Sequence, residues 1–162
     1  MRVLIGAVGR MKAGPERELV ARYLDRARAA GKALSLVEFN VIEIPEARAA
    51  NAATRKAEEA RAMKAALPGQ AVVIALAERG GSMDSKKLAS LIADVRDRNT
   101  PAIAFVIGGA DGLDPQFVAA ADSTLSFSPL TWPHQLVRIM LAEQLYRATA
   151  ILGGHPYHRG AP

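Results

Sequence analysis

Apolar runs of strand length alternate along the chain with longer stretches whose apolar residues recur every three or four positions. Residues 3–8 form a continuous apolar run and predict a first β-strand. A helix is expected from Pro15, a residue suited to a first helical turn, with Leu19, Tyr23, Leu24 and Ala27 on one face and Gly31 ending it. Residues 35–44 alternate loosely and predict a second strand that stops before Pro45. An Ala-rich charged helix is expected over 51–67, closed by Pro68 and Gly69. Runs 71–77 and 102–107 are apolar on both faces, the pattern of buried parallel strands. Between them, 84–98 predicts a helix that turns Leu88, Leu91, Ile92 and Val95 inward. Asp114 and Pro115 open a short helix, 124–127 is a brief fifth strand, and 134–152 is the last helix. This order predicts an α/β fold with a mostly parallel sheet, in one domain spanning 1–162.

Composition narrows the class. Half of the 162 residues are apolar, enough for a single core. No window approaches the roughly 18 to 20 unbroken apolar residues of a membrane span, and the N-terminal run lacks the cleavage pattern of a signal peptide. The absence of cysteine excludes a disulfide framework and thiolate chemistry, and a cytoplasmic protein is expected. A formal charge of +5 favours a polyanionic partner such as RNA. Acidic residues interleave with the basic ones, however, as in Arg55, Lys56, Glu58, Glu59 and Arg61. Charge alone therefore leaves an ordinary solvated helix face equally open.

In parallel sheets of this kind ligands gather at the carboxyl ends of the strands. Three loops leave those ends, at 78–82, 108–113 and 128–133. Gly108, Gly109 and Gly112 permit close backbone approach, either to a ligand or within a tight turn before the capped helix. They match neither the dinucleotide fingerprint nor a Walker loop. In 128–133 two prolines restrict the chain, and Leu130 and Trp132 either enclose an apolar ring beside exposed amides or pack in the core. His134, His155 and His158 have no Cys or carboxylate cluster to complete a ligand set, so no metal is expected. Ser126 and Ser128 lack a nucleophile-elbow motif. In the tail, His155, Tyr157, His158 and Arg159 bring stacking, hydrogen-bonding and phosphate-pairing groups together. A frayed terminus is the ordinary expectation there, yet these are the residue types that cover a flipped nucleobase.

Four stretches in order resemble one family: Phe-Val-Ile-Gly-Gly-Ala-Asp-Gly-Leu at 105–113, Ser-Pro-Leu-Thr-Trp-Pro-His at 128–134, Leu-Val-Arg-Ile-Met-Leu-Ala-Glu-Gln-Leu-Tyr-Arg-Ala at 136–148, and His-Pro-Tyr-His-Arg at 155–159. They resemble the RlmH family of SPOUT-superfamily methyltransferases, and the likeness runs from the first strand to Arg159. The resemblance implies a sheet whose C-terminal segment, about 71–159, threads a deep trefoil knot. It also implies a homodimer that binds S-adenosylmethionine in the knot and methylates N3 of a pseudouridine in large-subunit ribosomal RNA, on the assembled ribosome. The cofactor positions it implies are Leu76, Gly108, Phe127, Ser128, Pro129, Leu130, Thr131 and Trp132. Helpers for removal of the N3 proton are sought among His155, Tyr157, His158 and Arg159, with Arg138 and Glu143 organising the pocket. The chain departs from the family in its loop 45–53, which is poorer in positive charge. It departs again at Trp132, where a smaller apolar residue is common, and in the added Gly160, Ala161 and Pro162.

Two rival classes remain beside this one. A nucleotide-binding α/β protein would need an acidic ribose partner about 20 residues beyond its glycines, and Asp122 lies nearer than that. A non-catalytic ribosome- or RNA-binding module that keeps the fold is separated from an enzyme by cofactor binding.

Overall fold

The computed structural model describes residues 1–158. Five strands, β1 (Arg2–Val8), β2 (Glu38–Ile44), β3 (Ala71–Leu76), β4 (Ala102–Ile107) and β5 (Ser123–Leu125), form one sheet in the order β2-β1-β4-β3-β5. Every pairing is parallel, with Arg2 opposite both Glu38 and Ala102, and Ala71 opposite Ala102. The central strand β4 is buried along its whole length, which explains its unbroken apolar sequence.

Alternation along the strands divides the core between the two faces of the sheet. One face carries Val3, Ile5, Phe39, Ile74, Ile103 and Phe105. It is covered by α1 (Pro15–Gly31), α3 (Ser85–Asp97) and α5 (His134–Leu152), with α5 packed against both of the others. The opposite face holds Val8, Ile44 and Val106 against Met63 of α2 (Ala52–Ala66) and Phe117 of α4 (Pro115–Ala120). Truncating a fully buried side chain such as Phe105 to alanine is expected to cost about 3–5 kcal/mol.

Helix starts follow local chemistry. The side chains of Asn51, Asp84 and Asp114 accept from Thr54, Lys87, and both Gln116 and Phe117 backbone amides respectively, each satisfying otherwise orphaned donors. Two strand boundaries differ from the periodicity. The second strand begins at Glu38, because Lys32–Leu34 form a 3-10 turn and Ser35 adopts a left-handed φ of 58°. Leu36 then folds back, its amide donating to the Gly31 carbonyl at 3.0 Å, and buries its side chain. The fifth strand ends at Leu125, since the Ser126 amide leaves the ladder to donate to Gly81 at 2.9 Å. No helix among the described residues is long and apolar enough to cross a membrane.

Candidate functional site

Because all five strands run the same way, the loops that follow β3, β4 and β5 emerge at one edge of the sheet. They enclose a cavity of about 810 Å³, within the range of small-molecule sites. The loop after β3 and the chain after β5 are clasped together. Ala77 and Ser126 amides donate to Leu125 and Gly81 carbonyls, the Ser126 hydroxyl donates to the Glu78 carbonyl, and the Thr131 hydroxyl donates to the Glu78 carboxylate at 2.8 Å.

The glycine loop after β4 is both a tight turn and a cavity wall. Gly109 and Gly112 form an antiparallel bridge, and Gly112 takes a φ of 78° that favours glycine. A Cβ on Gly108 would lie 2.6 Å from the Gly112 carbonyl carbon and 2.7 Å from the Leu113 nitrogen, so the loop closes only with glycine there. Outside it, Arg55 of α2 donates through Nε to the Asp111 carboxylate at 2.7 Å and through Nη1 to the Ala49 and Ala50 carbonyls. The hydrogen bond from Arg55 holds the Asp111 carboxyl below its usual range.

Leu130 and Trp132 are not core residues: they are 65% and 40% exposed and line the cavity. Their loop is braced by the Ser128 hydroxyl, which accepts from the Leu130 amide at 3.0 Å. Of the cofactor positions implied by the resemblance, Leu76, Gly108, Phe127, Ser128, Leu130, Thr131 and Trp132 line the cavity, while Pro129 does not. Glu78, Asp111 and His134 also line it. Sequence signals them by position, just beyond apolar parallel strands or at the start of α5, and Asp111 and His134 also fall within the family-like stretches 105–113 and 128–134. The lining suits a ligand with one apolar ring, hydrogen-bonding edges and a positive centre. Leu130, Trp132 and Val137 offer the apolar surface and Glu78 a negative charge, while Asp111 is paired with Arg55 and Arg79 also joins the lining.

The candidate helpers lie elsewhere. Within the chain neither Arg138, nor Glu143, nor any described tail residue lines the cavity. Arg138 is 1% exposed and binds the opposite end of the sheet's carboxyl edge. Its Nη2 donates to the carbonyls of Val8 and Gly9 at 2.8 and 2.7 Å, and its Nη1 to Glu43 at 2.7 Å. Burial pushes its guanidinium below the usual range, while Glu43 opposes that shift. Its Nε is buried without a partner among the described residues.

The tail folds back on α5. The His155 amide donates to the Ala150 carbonyl at 2.8 Å, and the Tyr157 hydroxyl to Glu143 at 2.9 Å. The Tyr157 ring lies 4.5 Å from that of Tyr146, which in turn stands 6.4 Å from Tyr23 of α1. Arg147 covers Tyr157 with its guanidinium carbon 4.9 Å from the ring centre, and it also pairs with Glu143. Burial, reinforced by the bond to Glu143, pushes the Tyr157 phenol up to about 12. Tyr157 is thus a protonated hydrogen-bond donor near neutral pH and a poor base. Both ring nitrogens of His158 are buried with no partner among the described residues. Arg159 lies outside the described residues, as do Gly160, Ala161 and Pro162.

This geometry can be set beside known proteins. The family model described as "Predicted SPOUT methyltransferase" matches residues 1–158. A protein of Allorhizobium ampelinum named Ribosomal RNA large subunit methyltransferase H is 58% identical, covering 98% of this chain and 99% of its own. A Rhizobium meliloti protein of the same name is 53% identical with the same coverage. Among solved structures, a probable methyltransferase from Bordetella pertussis is similar in fold, with a TM-score of 0.51 at 16% identity, covering 91% of this chain and 95% of its own. A probable methylase family protein from Haemophilus influenzae gives 0.52 at 13% identity, covering 99% and 71%. With a match over nearly its whole length, the chain belongs to the SPOUT family of methyltransferases, enzymes that take their methyl group from S-adenosylmethionine.

Proposed function

We propose that this enzyme methylates N3 of a pseudouridine in large-subunit ribosomal RNA, on the assembled ribosome in the cytoplasm. It does so as a homodimer whose C-terminal segment is threaded as a knot. The observation that carries the reading is the separation of two half-sites. The loop-lined cavity holds none of the described tail residues of its own chain, although the tail carries the histidines, tyrosine and arginine suited to a nucleobase. An isologous dimer lets each copy's tail complete the other's cavity. Leu130 and Leu136 are exposed apolar residues beside that cavity and on α5, and they suit a dimer contact. The relatives' name, which specifies the large ribosomal subunit RNA, supports the substrate.

S-adenosylmethionine, when bound, supplies a methyl group on a sulfonium and so needs little activation. The protein's part is alignment and proton removal. Leu130 and Trp132 would hold the cofactor's apolar ring, Gly108 would allow close backbone approach, and Glu78 would favour its cationic end. In the tail, His155 and His158 carry imidazoles, a side chain widely used to move protons in catalysis. Tyr157 is held as a donor on Glu143 and orients the segment. The role of taking the N3 proton is therefore assigned to these imidazoles rather than to the Tyr157 phenol.

The test is methyl transfer from labelled S-adenosylmethionine to ribosomes of cells lacking the matching enzyme, with the modified nucleotide mapped. Label at an N3-methylated pseudouridine is the expected result. Cofactor binding without ribosomal methylation would remove the substrate assignment. Failure to bind cofactor would favour a non-catalytic ribosome-binding module.

A further inference from the structure

The loop between β1 and α1, residues 9–14, has a feature the cofactor cavity does not use. Its alternate residues are fastened inward. The Gly9 amide donates to the Ile44 carbonyl at 2.8 Å, and the Gly9 carbonyl accepts from the buried Arg138. The Met11 amide donates to Glu43 at 2.8 Å, its carbonyl accepts from Arg17, and its side chain is 6% exposed. Arg10 and Lys12, the residues between, are exposed and make no ion pair or side-chain hydrogen bond with any described residue. A clamped backbone therefore presents two cations, unpaired among the described residues, from fixed positions along the loop. Such pre-organisation lowers the ordering cost of contacting an anion.

Neither cation lines the cavity, but their loop starts beside one of its walls. Gly109, which lines it, would bring a Cβ within 3.0 Å of the Val8 side chain. Arg10 is two residues beyond Val8, so at most about 7 Å of chain separates it from that neighbour of the wall. Exposed Arg48 follows the neighbouring strand β2, and exposed Arg79 follows β3 on the far side of the cavity. The carboxylates nearby are partly engaged: Glu43 by Arg138 and Asp111 by Arg55, while Glu46 packs over Gly9. Mobile surface lysines would not need the buried Arg138–Glu43 pair beneath them, whereas a docking edge for a rigid polyanion would benefit from it.

We infer that Arg10 and Lys12 form a pre-organised phosphate-contact edge that docks the RNA backbone beside the cofactor cavity, held from below by Arg138 and Glu43. This deepens the proposed function and rests on that reading for its substrate. Phosphate contacts of this kind position a nucleic acid without reading its sequence.

The experiment compares the full-length enzyme with Arg10→Ala/Lys12→Ala, the charge-keeping Arg10→Lys/Lys12→Arg, and a control, Lys32→Ala/Arg98→Ala. The control removes two exposed cations from the amino-terminal edge of the sheet. Steady-state methylation of ribosomes is measured across a salt series, with cofactor affinity, molecular mass and thermal midpoint alongside. The alanine pair is expected to raise KM for ribosomes by roughly 10- to 100-fold and leave kcat within about twofold. Its dependence of log KM on log salt should flatten by about 1.5, the effect of two lost phosphate contacts. The charge-keeping pair should stay near wild type, as should the control. An unchanged KM and salt slope would overturn the inference, as would an equal loss in the control. A weakened cofactor would reassign the edge to the cofactor's carboxylate, and a changed mass would reassign it to the dimer; either overturns it. Should the wild type methylate no ribosomal substrate, the function reading fails by itself. Direct binding of the same variants to ribosomal RNA then decides the edge, and equal affinities sink it.

Discussion

The two segments that flank α5 are opposites in how they are held. Before the helix, residues 126–133 are braced by their own hydroxyls and by Glu78, and they present Leu130 and Trp132 to open space. After it, residues 153–158 carry the polar and aromatic groups, yet they lie against the side of their own α5 through Tyr157, Tyr146 and Glu143. The first segment is a finished wall. The second is a set of functional groups whose described members lie outside the loop-lined cavity. A ligand pocket can be completed locally because its donors are backbone and neighbouring side chains. Chemistry on a large external substrate needs groups that meet it from outside, and the proposed function places these on the terminal segment.

If the two segments divide the work, removing one should leave the other's function intact. The largest effect is expected from a chain ending at Gly154. Methyl transfer should fall about 10³-fold, the scale of lost proton-transfer catalysis, while cofactor affinity by calorimetry stays within about threefold. A matching loss of cofactor affinity would refute the division. Gly108→Ala should do the reverse. Its Cβ would overlap the backbone of Gly112 and Leu113, so cofactor binding should weaken by about 2 kcal/mol, roughly 30-fold. The Tyr157–Glu143 contact, monitored by the NMR signals of the Tyr157 ring, should be unaffected.

Tyr157→Phe sharpens the contrast further. Losing the donor to Glu143 should lower transfer by about tenfold, as one hydrogen bond to a charged group is worth, with cofactor affinity unchanged. The same residue has a pH signature. Its folded pKa is raised from 10.0 to about 12, so the docking it provides is fully present below about 10 and is lost as pH rises towards 12. Ultraviolet titration should find a late-ionising component in the wild type that is missing from Tyr157→Phe. The smallest effect is expected at the glycine loop. Arg55→Met should weaken cofactor binding by about twofold at low salt and by less at high salt, since the pair is partly exposed. The Asp111 carboxyl is lowered by Arg55. The contribution of the pair is therefore present above the ordinary carboxylate range and disappears as pH falls through the lowered value.

Much of the fold was legible because its signals are local. The bounds of α1, β4 and α5 coincide with their apolar periodicity, and Asn51, Asp84 and Asp114 cap the helices they precede. Strand ends were less legible where a competing bond took over. Residues 35–37 read as strand by alternation, but Leu36 gained more by folding over Gly31. Ser126 and Phe127 read as strand too, until Ser126 paired with Gly81 across the sheet edge. Leu130 and Trp132 were undecidable from their apolar character, because burial depends on what the rest of the chain places over them.

The sequence by itself determined the alternation of strands and helices, the helix caps, the glycine loop and the family motifs, since each depends on neighbouring residues. Only the tertiary structure decided that three loops far apart in the chain close one cavity around Leu130 and Trp132. It also decided that Arg138 is buried beneath Gly9 rather than facing that cavity, and that the tail rests on Glu143. Those outcomes depend on parallel strand order and on pairs such as Arg138–Glu43, separated by 95 residues. Such long-range pairings leave no trace in any local window of sequence.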